Sequence, residues 1–246
     1  MVSLIRAMKS KSTNFKHQLL TLLAGIYGST FVLLDGADGT EHLRRVSEYY
    51  SDMSFKLFTY QIYQILTFQT LDNGTADLYK HFLSYICGAV LEMPFLFFPI
   101  VGLVYGYFFS GSLLIVYKNF YRTKKSLLFW VVAFVFFMLK NIEGINTVRT
   151  WTGLWILVYA CLKYYETKKL KYLILMFVPP FVHFSYFIMA LPAYIVLVFG
   201  NRKTVFFSIF VLSFFFSFLT PNPQEVTDTL SQTELGAGRT QAYSVE

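Results

Sequence analysis

The chain has 246 residues, of which 55% are apolar, 20% aromatic and only 14% charged, and its formal net charge is +7. Soluble domains carry roughly 25% charged residues, so this composition argues against a water-soluble globular domain. The basic residues cluster beside apolar runs, while the loops between these clusters hold nearly all the acids. This asymmetry is typical of a membrane topology and argues against a nucleic-acid partner. The basic clusters are 6–16, 118–125, 163–171 and 202–203.

The long uncharged runs predict an all-α fold, a polytopic integral membrane helical bundle with short amphipathic outer-face helices. Residues 1–246 form a single transmembrane domain in this prediction, and the N-terminus is cytoplasmic. The predicted spans are about 18–34, 93–117, 126–142, 148–164, 172–183, 187–200 and 204–220. An outer-face segment, 35–84, follows the first span, and an outer tail, 221–246, follows the last.

The first apolar run follows a basic N-terminal segment, a pattern that a signal peptide would also show. The basic segment is long and no small-x-small cleavage site precedes Asp35, which favours a retained membrane anchor. In the outer-face segment, apolar residues recur at helical spacing in two stretches. The second stretch is too short to cross a bilayer at about 1.5 Å per residue. We therefore predict two amphipathic helices lying on the outer membrane surface.

Residues 172–200 could form one interrupted span or a pair of short ones. Pro179, Pro180 and Pro192 break the apolar run. Basic clusters flank the run on both sides, so the chain is predicted to return to the side from which it came. This predicts a hairpin with His183–Ser185 at its outer tip.

Ionisable residues in apolar surroundings are the candidate functional groups. Arg149 and His183 lie at outer ends of predicted spans, and Asn146, Arg149 and Gly153 fall on one helix face at i, i+3 and i+7. Arginine suits phosphate, and histidine can accept a proton from an attacking hydroxyl. Structural alternatives stay open, because Arg149 could extend its charge to the membrane interface and His183 could bond to backbone.

No metal or other cofactor is predicted. His42 and His81 lack the spacing of a metal site. The sequence has no glycine-rich phosphate loop, nucleophile elbow or paired cysteine motif. Asp35, Asp38 and Glu41 could be ordinary solvated loop acids.

Several short motifs occur in a distinctive order. Asn146-Thr147-Val148-Arg149 enters an apolar helix, the basic loop 168–171 follows, and a later segment reaches His183-Phe184-Ser185. The stretches 35–55 and 77–85 are an Asp-rich outer loop before an aromatic helix, and a polar-aromatic segment. This order resembles the EpsG family of bacterial exopolysaccharide polymerases, relatives in role of the Wzy O-antigen polymerases. Members of that family usually continue through further spans, so the resemblance implies a truncated chain.

The resemblance implies growth of a polysaccharide on undecaprenyl pyrophosphate at the outer face of the bacterial inner membrane. Arg149 would neutralise charge on the departing pyrophosphate, and His183 would orient or deprotonate the acceptor hydroxyl or share the phosphate. The implied partners are an undecaprenyl-pyrophosphate-linked oligosaccharide, the lipid bilayer and a possible chain-length regulator, with no nucleic acid. The expected substrate-binding residues are Asp35, Asp38, Arg45, His81, Asn146 and Ser185.

Other functions remain open at this stage. A transporter or flippase of lipid-linked sugar also needs cationic groups, but its charges should line a path through the bilayer. A non-catalytic partner in polysaccharide assembly and an O-acyltransferase are further alternatives. The near absence of charge in the inner halves of the predicted spans favours chemistry at the outer face.

Overall fold

A computed structural model of the protein describes residues 12–30, 38–67, 77–123 and 148–200, together with 131, 202, 204, 207, 208, 211 and 212. Within these residues every regular element is a helix and no strand occurs, so the all-α prediction is confirmed. The predicted span 126–142 and the predicted tail 221–246 lie outside the described residues, except for residue 131. The predicted span 204–220 is described only at isolated positions.

The helices follow one another in chain order, with short breaks in the second half. They are α1 (Thr13–Ser29), α2 (Asp38–Glu48), α3 (Phe55–Leu66), α4 (Leu78–Tyr85), α5 (Phe97–Thr123), α6 (Thr150–Thr167), α7 (Leu170–Leu175), α8 (Pro179–Val182), α9 (Tyr186–Met189) and α10 (Leu191–Phe199). A π-helical turn, Ile86–Val90, extends α4, and a 3₁₀ turn, Pro94–Leu96, leads into α5.

One of the described helices, running over Pro94–Lys118, is long and apolar enough to cross a membrane. It overlaps the predicted span 93–117. Two shorter apolar helical stretches, Leu170–Val182 and Tyr186–Val196, occur near the end of the described chain. The membrane prediction is thus supported at the level of a single candidate span, and insertion through several spans stays a prediction.

Helices α1 and α5 pack against each other in antiparallel orientation. The Nε2 atom of His17, early in α1, lies 2.7 Å from the carbonyl oxygen of Tyr107, whereas Gly28, near the end of α1, lies against the backbone of Phe98. Residue numbers therefore increase along α1 in the direction in which they decrease along α5.

Small residues allow this close contact. Ala24 and Gly28 on α1, and Gly102 and Gly106 on α5, form two small-xxx-small pairs. A Cβ atom on Gly102 would lie 2.5 Å from the Ala24 carbonyl oxygen, and one on Gly25 would lie 2.6 Å from the Leu103 side chain. Backbones approach in this way where helices pack within lipid, because small residues maximise van der Waals contact there.

Helices α5 and α6 run parallel. The buried Trp155 donates its indole N–H to the hydroxyl of Tyr105 at 3.0 Å, and further along both helices Lys118 lies 3.3 Å from Glu166. We call the end of these helices that carries Lys118 and Lys163 the lysine end. The opposite end, where α5 and α6 begin, is called the Asp77 end for the residue described below.

The chain between residues 170 and 200 is folded back on itself. Helix α8 begins at Pro179, and the chain then turns through residues 183–185 into α9. Tyr194 on the returning arm donates its hydroxyl to the carbonyl of Met176 at 2.9 Å, and its ring stacks on Phe177. His183, the tip of the predicted hairpin, lies in this turn, and insertion of the two arms into the membrane stays a prediction.

Helix α3 has an unusual distribution of polarity. Its buried face combines Phe58 and Ile65 with Gln61, whose side-chain amide donates to the Tyr49 hydroxyl at 2.6 Å. Ile62 is half-buried, and the other aromatic and aliphatic side chains of this helix are exposed. They are Phe55, Leu57, Tyr60, Tyr63 and Leu66.

Candidate functional site

The candidate site is built around the carboxylate of Asp77. This residue lies directly before α4, where an aspartate ordinarily accepts a hydrogen bond from the first helical N–H groups. Its side chain makes no such capping bond. Instead, Oδ2 lies 2.5 Å from Nη1 of Arg149, and Oδ1 accepts the backbone N–H of Phe184 at 3.1 Å. Asp77 therefore links the start of α4 to the start of α6 and to the hairpin tip.

The three side chains differ in their access to solvent. Only 2% of the Asp77 side chain is exposed, compared with 28% for Arg149 and 11% for His183. The carboxylate is thus enclosed, while part of the Arg149 side chain and a smaller part of the His183 side chain are exposed. A ligand could touch these two residues without touching the acid.

The residue before Arg149 has an unusual backbone conformation. Val148 is fully buried and has a positive φ of 49°. A β-branched residue is rarely found in this left-handed region, where strain costs about 1–3 kcal/mol. The Thr152 hydroxyl donates to the Val148 carbonyl at 2.7 Å and holds this turn in place. Arg149 follows this strained residue directly and lies immediately before the first residue of α6.

His183 sits between two short helices in an extended conformation, with φ −153° and ψ 125°. Its Nδ1 atom lies 3.5 Å from Oδ2 of Asp77. That distance is longer than a normal hydrogen bond, and Nδ1 is buried without a closer acceptor among the described residues. Nδ1 of the imidazole therefore faces the carboxylate at a distance slightly greater than that of a normal hydrogen bond.

The environment keeps Asp77 ionised. Burial raises the pKa of this carboxyl, but the His183 contact, the Arg149 charge and the Phe184 N–H together outweigh burial and hold the pKa below its ordinary value of 3.8. At neutral pH the Asp77 carboxylate and the Arg149 guanidinium therefore form an ion pair that has no net charge.

Tyr186 ties the hairpin tip to α6. Its hydroxyl donates to the Thr150 carbonyl at 2.5 Å, and its ring covers Gly153, where a Cβ atom would lie 2.6 Å from Cε2 of Tyr186. The group that approaches Gly153 closely is thus an aromatic side chain. This contact fixes His183 in position relative to Arg149.

The predicted catalytic residues, Arg149 and His183, meet at one carboxylate. The predicted substrate-binding residue Ser185 is adjacent to Phe184 and half-buried at the start of α9. Arg45 is half-buried in the last turn of α2. Asp38 begins α2, but its side chain is outside the described part, as are Asp35 and Asn146 entirely.

His81 lies in the interior of the packing between α3, α4 and the end of α2. It is fully buried, its Nδ1 lies 2.9 Å from the Tyr50 hydroxyl, and its ring stacks on Phe58 at 5.0 Å. These contacts hold α4 against α3 and the end of α2. Its predicted role in substrate binding remains a prediction, and its packing role is what the structure describes.

Asp77 is the site residue that sequence reasoning did not single out. An acid directly before an amphipathic helix predicts a helix cap, which is a local role. The signal that could have identified it is an acid on the same predicted side as Arg149 and His183, since a buried arginine needs a carboxylate partner.

Comparisons with protein-family models, with curated proteins and with solved structures found no match. The resemblance to the EpsG family therefore rests on the sequence motifs described above.

Proposed function

We propose that the chain is a polysaccharide polymerase-type glycosyltransferase. It extends a glycan carried on a polyprenyl pyrophosphate at the outer face of the bacterial inner membrane, as in the assembly of O-antigen, capsule or exopolysaccharide. The observation that carries the proposal is the convergence of Arg149 and His183 on the buried Asp77 carboxylate. These three residues come from segments far apart in the sequence.

In this proposal the chain crosses the membrane several times. Helix α5 is of spanning length, and α1 approaches it through the small residues that suit helix packing in lipid. The lysine end faces the cytoplasm because basic clusters favour the inner side. The Asp77 end then faces outward, where a lipid carrier presents its pyrophosphate.

The exposed side of α3 supports an interfacial position beside this site. Phe55, Tyr63 and Leu66 are exposed on it, at 68%, 63% and 49%. Aromatic side chains are favoured at the level of the lipid headgroups. A helix in that position would lie at the depth of the carrier's phosphates.

Arg149 binds the pyrophosphate in the proposed reaction. Its guanidinium has five N–H donors in a planar fork, and Asp77 accepts from Nη1. The remaining donors can bind phosphate oxygens, to which arginine is well matched. As the bond between the anomeric carbon and the pyrophosphate breaks, charge grows on the leaving oxygen, and a fixed cation stabilises that charge.

His183 receives the proton of the acceptor. The acceptor sugar hydroxyl attacks the anomeric carbon, its proton passes to the imidazole, and the electron pair of the broken bond leaves with the pyrophosphate. A positioned histidine contributes about 10²–10⁴-fold to such a step. The reaction needs no metal, and no oxidant or reductant enters it.

A lipid-linked oligosaccharide transporter, or flippase, is the second candidate, with a non-catalytic assembly partner as the third. A transport path requires polar groups through the depth of the membrane. Residues 97–117 and 150–162 contain no charged residue, so the charges of α5 and α6 lie at or beyond their two ends. This distribution favours chemistry at the Asp77 end.

Complementation of a deletion strain tests the proposal. Wild type, Arg149→Ala, His183→Ala and Arg149→Lys are expressed, their membrane levels are matched, and surface polysaccharide is separated on gels. Arg149→Lys keeps a positive charge beside Asp77 but loses the planar fork, so it guards against misfolding of the alanine variant. Arg44→Ala is the matched control, since Arg44 pairs with Glu48 on an exposed surface.

We expect long chains to disappear in the Arg149 and His183 variants while single repeat units remain on the surface. An unchanged ladder in the deletion strain would exclude polymerase activity. Loss of the single repeat units as well would favour the flippase.

Cysteine labelling tests the orientation. Lys56 on α3 and Lys171 on α7 are both exposed and lie on opposite predicted sides. Each is changed to cysteine in a background lacking Cys87 and Cys161. A membrane-impermeant maleimide should label position 56 in intact cells and position 171 only after permeabilisation. Equal labelling in intact cells would contradict the topology.

A further inference from the structure

We propose that Asp77 is a positioning residue that fixes the tautomer of His183, with the hydrogen on Nδ1 and the lone pair on Nε2. This inference deepens the proposed function and rests on it for its catalytic meaning. The tautomer itself is a property of the protein without substrate, so it can be tested separately.

The Asp77 carboxylate is held on both sides. Arg149 binds Oδ2, and the backbone N–H of Phe184 binds Oδ1. Phe184 follows His183 directly, so the acid is anchored to the same turn that carries the imidazole. The carboxylate cannot rotate away without breaking one of these bonds. Oδ2 is therefore a fixed acceptor 3.5 Å from Nδ1 of His183.

A fixed acceptor selects one form of a neutral imidazole. In that form one ring nitrogen carries hydrogen and the other carries a lone pair. A lone pair on Nδ1 would face the lone pairs of an ionised carboxylate, and the two would repel. Hydrogen on Nδ1 is attracted instead, which leaves Nε2 as the proton acceptor.

The arrangement matches the proposed step in direction and in charge. The acceptor hydroxyl gives its proton to Nε2 as its oxygen bonds to the anomeric carbon, and the pyrophosphate leaves with the electron pair. His183 then carries a positive charge, which the nearby carboxylate stabilises.

His81 provides an internal contrast. Its Nδ1 also has a close partner, the Tyr50 hydroxyl at 2.9 Å. A hydroxyl can donate or accept a hydrogen bond, whereas an ionised carboxylate can only accept. Tyr50 therefore does not dictate a tautomer by itself, whereas the carbonyl oxygen of Phe58, 3.5 Å from Nε2 of His81, can only accept a hydrogen bond. His81 is thus a reference histidine whose tautomer does not depend on Asp77.

The experiment is ¹⁵N NMR of the full chain with labelled histidine, in lipid nanodiscs at neutral pH. The chain has 4 histidines, so the spectrum is simple. His183→Gln assigns the His183 signals. We expect wild-type His183 to show a protonated Nδ1 and an unprotonated Nε2. Protonation of Nε2 in the wild type, as the other tautomer or as the imidazolium, would overturn the inference without any variant.

Asp77→Ala then tests the cause. The single tautomer of His183 should be lost, while the His81 signals stay unchanged. Tyr50→Phe should alter His81 and leave His183 as in the wild type. A His183 pattern that survives removal of Asp77 would assign the tautomer to another group.

The two proposals can fail separately. If the His183 tautomer follows Asp77 but deletion of the gene leaves the polysaccharide ladder unchanged, the positioning role stands and the polymerase function falls. If the ladder depends on His183 but the tautomer of His183 does not depend on Asp77, the polymerase function stands and the positioning role of Asp77 is wrong.

Discussion

Two carboxylates at opposite ends of the structure have similar partners and different surroundings. Asp77 lies beside Arg149 and His183, and Glu166 lies beside Lys118 and Lys163 at 3.3 and 3.4 Å. The Asp77 side chain is 2% exposed, whereas that of Glu166 is 23% exposed. Each acid thus sits between two basic groups, but only one of them is enclosed by protein.

Burial changes what such a cluster does. Exposed ion pairs contribute about 0–1 kcal/mol, because water screens them and long side chains lose freedom. A buried ion pair has a large desolvation cost, and apolar residues often stabilise a fold as well or better. The Asp77 cluster is therefore poorly explained by stability alone, whereas the Glu166 cluster needs no further role than neutralising two lysines.

The largest effect is expected from Asp77→Ala. This change leaves the Arg149 charge without its partner, and removal of one member of a buried pair costs about 3–5 kcal/mol. We expect the lower end of this range, because 28% of the Arg149 side chain can reach solvent. The free energy of unfolding, measured by denaturant titration in mild detergent, checks this prediction.

Glu48→Ala is the control for that experiment. Glu48 pairs with Arg44 on the surface of α2 at 3.0 Å, and its side chain is 63% exposed. Its removal should change the free energy of unfolding by no more than about 1 kcal/mol. Equal losses in the two variants would mean that burial does not distinguish Asp77.

Acid should remove the Asp77 contribution in wild type. The folded pKa lies below the ordinary value of 3.8, so the stabilisation is complete above about pH 5 and is lost as the pH falls through the folded pKa. The difference in unfolding free energy between wild type and Asp77→Ala should therefore be constant from neutral pH to about pH 5 and shrink in stronger acid. A difference that shrinks between pH 8 and pH 6 would point to another group.

Some parts of this arrangement could be predicted from the sequence, and others could not. Apolar run lengths and basic clusters predicted the long helix 94–118, and prolines with basic flanks predicted the reversal at His183. The partner of Arg149 was missed because a cap motif describes only local geometry, whereas Asp77 bonds to residues brought near by tertiary packing. The buried state of His81 was missed for the same reason, since Tyr50 and Phe58 enclose it from other segments.

A smaller loss is expected where α1 and α5 touch. A methyl group on Gly102 would meet the Ala24 carbonyl, so Gly102→Ala should separate the two helices slightly. Overpacking of this kind costs about 1–3 kcal/mol. The measurement is again the free energy of unfolding, with the His183 NMR signals as a second readout.

The His183 NMR signals distinguish a general loss of packing from a change at the Asp77 carboxylate. Gly102→Ala should lower stability while leaving the tautomer of His183 unchanged, because the affected contact joins α5 to α1, whereas Asp77, Arg149 and His183 belong to α4, α6 and the hairpin tip. Ile174→Ala, at a position that is 61% exposed, controls for substitution in an apolar helix. If Gly102→Ala shifted His183 as strongly as Asp77→Ala does, the site would depend on general packing and not on its carboxylate.

The smallest effect is expected at the lysine end. A double-mutant cycle with Glu166→Gln and Lys118→Met isolates the interaction across α5 and α6, which should be about 0.2–1 kcal/mol. Salt should weaken it further, because both side chains are partly in contact with water. The same cycle with Asp77 and Arg149 should give a larger coupling with little salt dependence. A Glu166 coupling as large as that of Asp77 would show that geometry alone, without burial, decides the strength of these clusters.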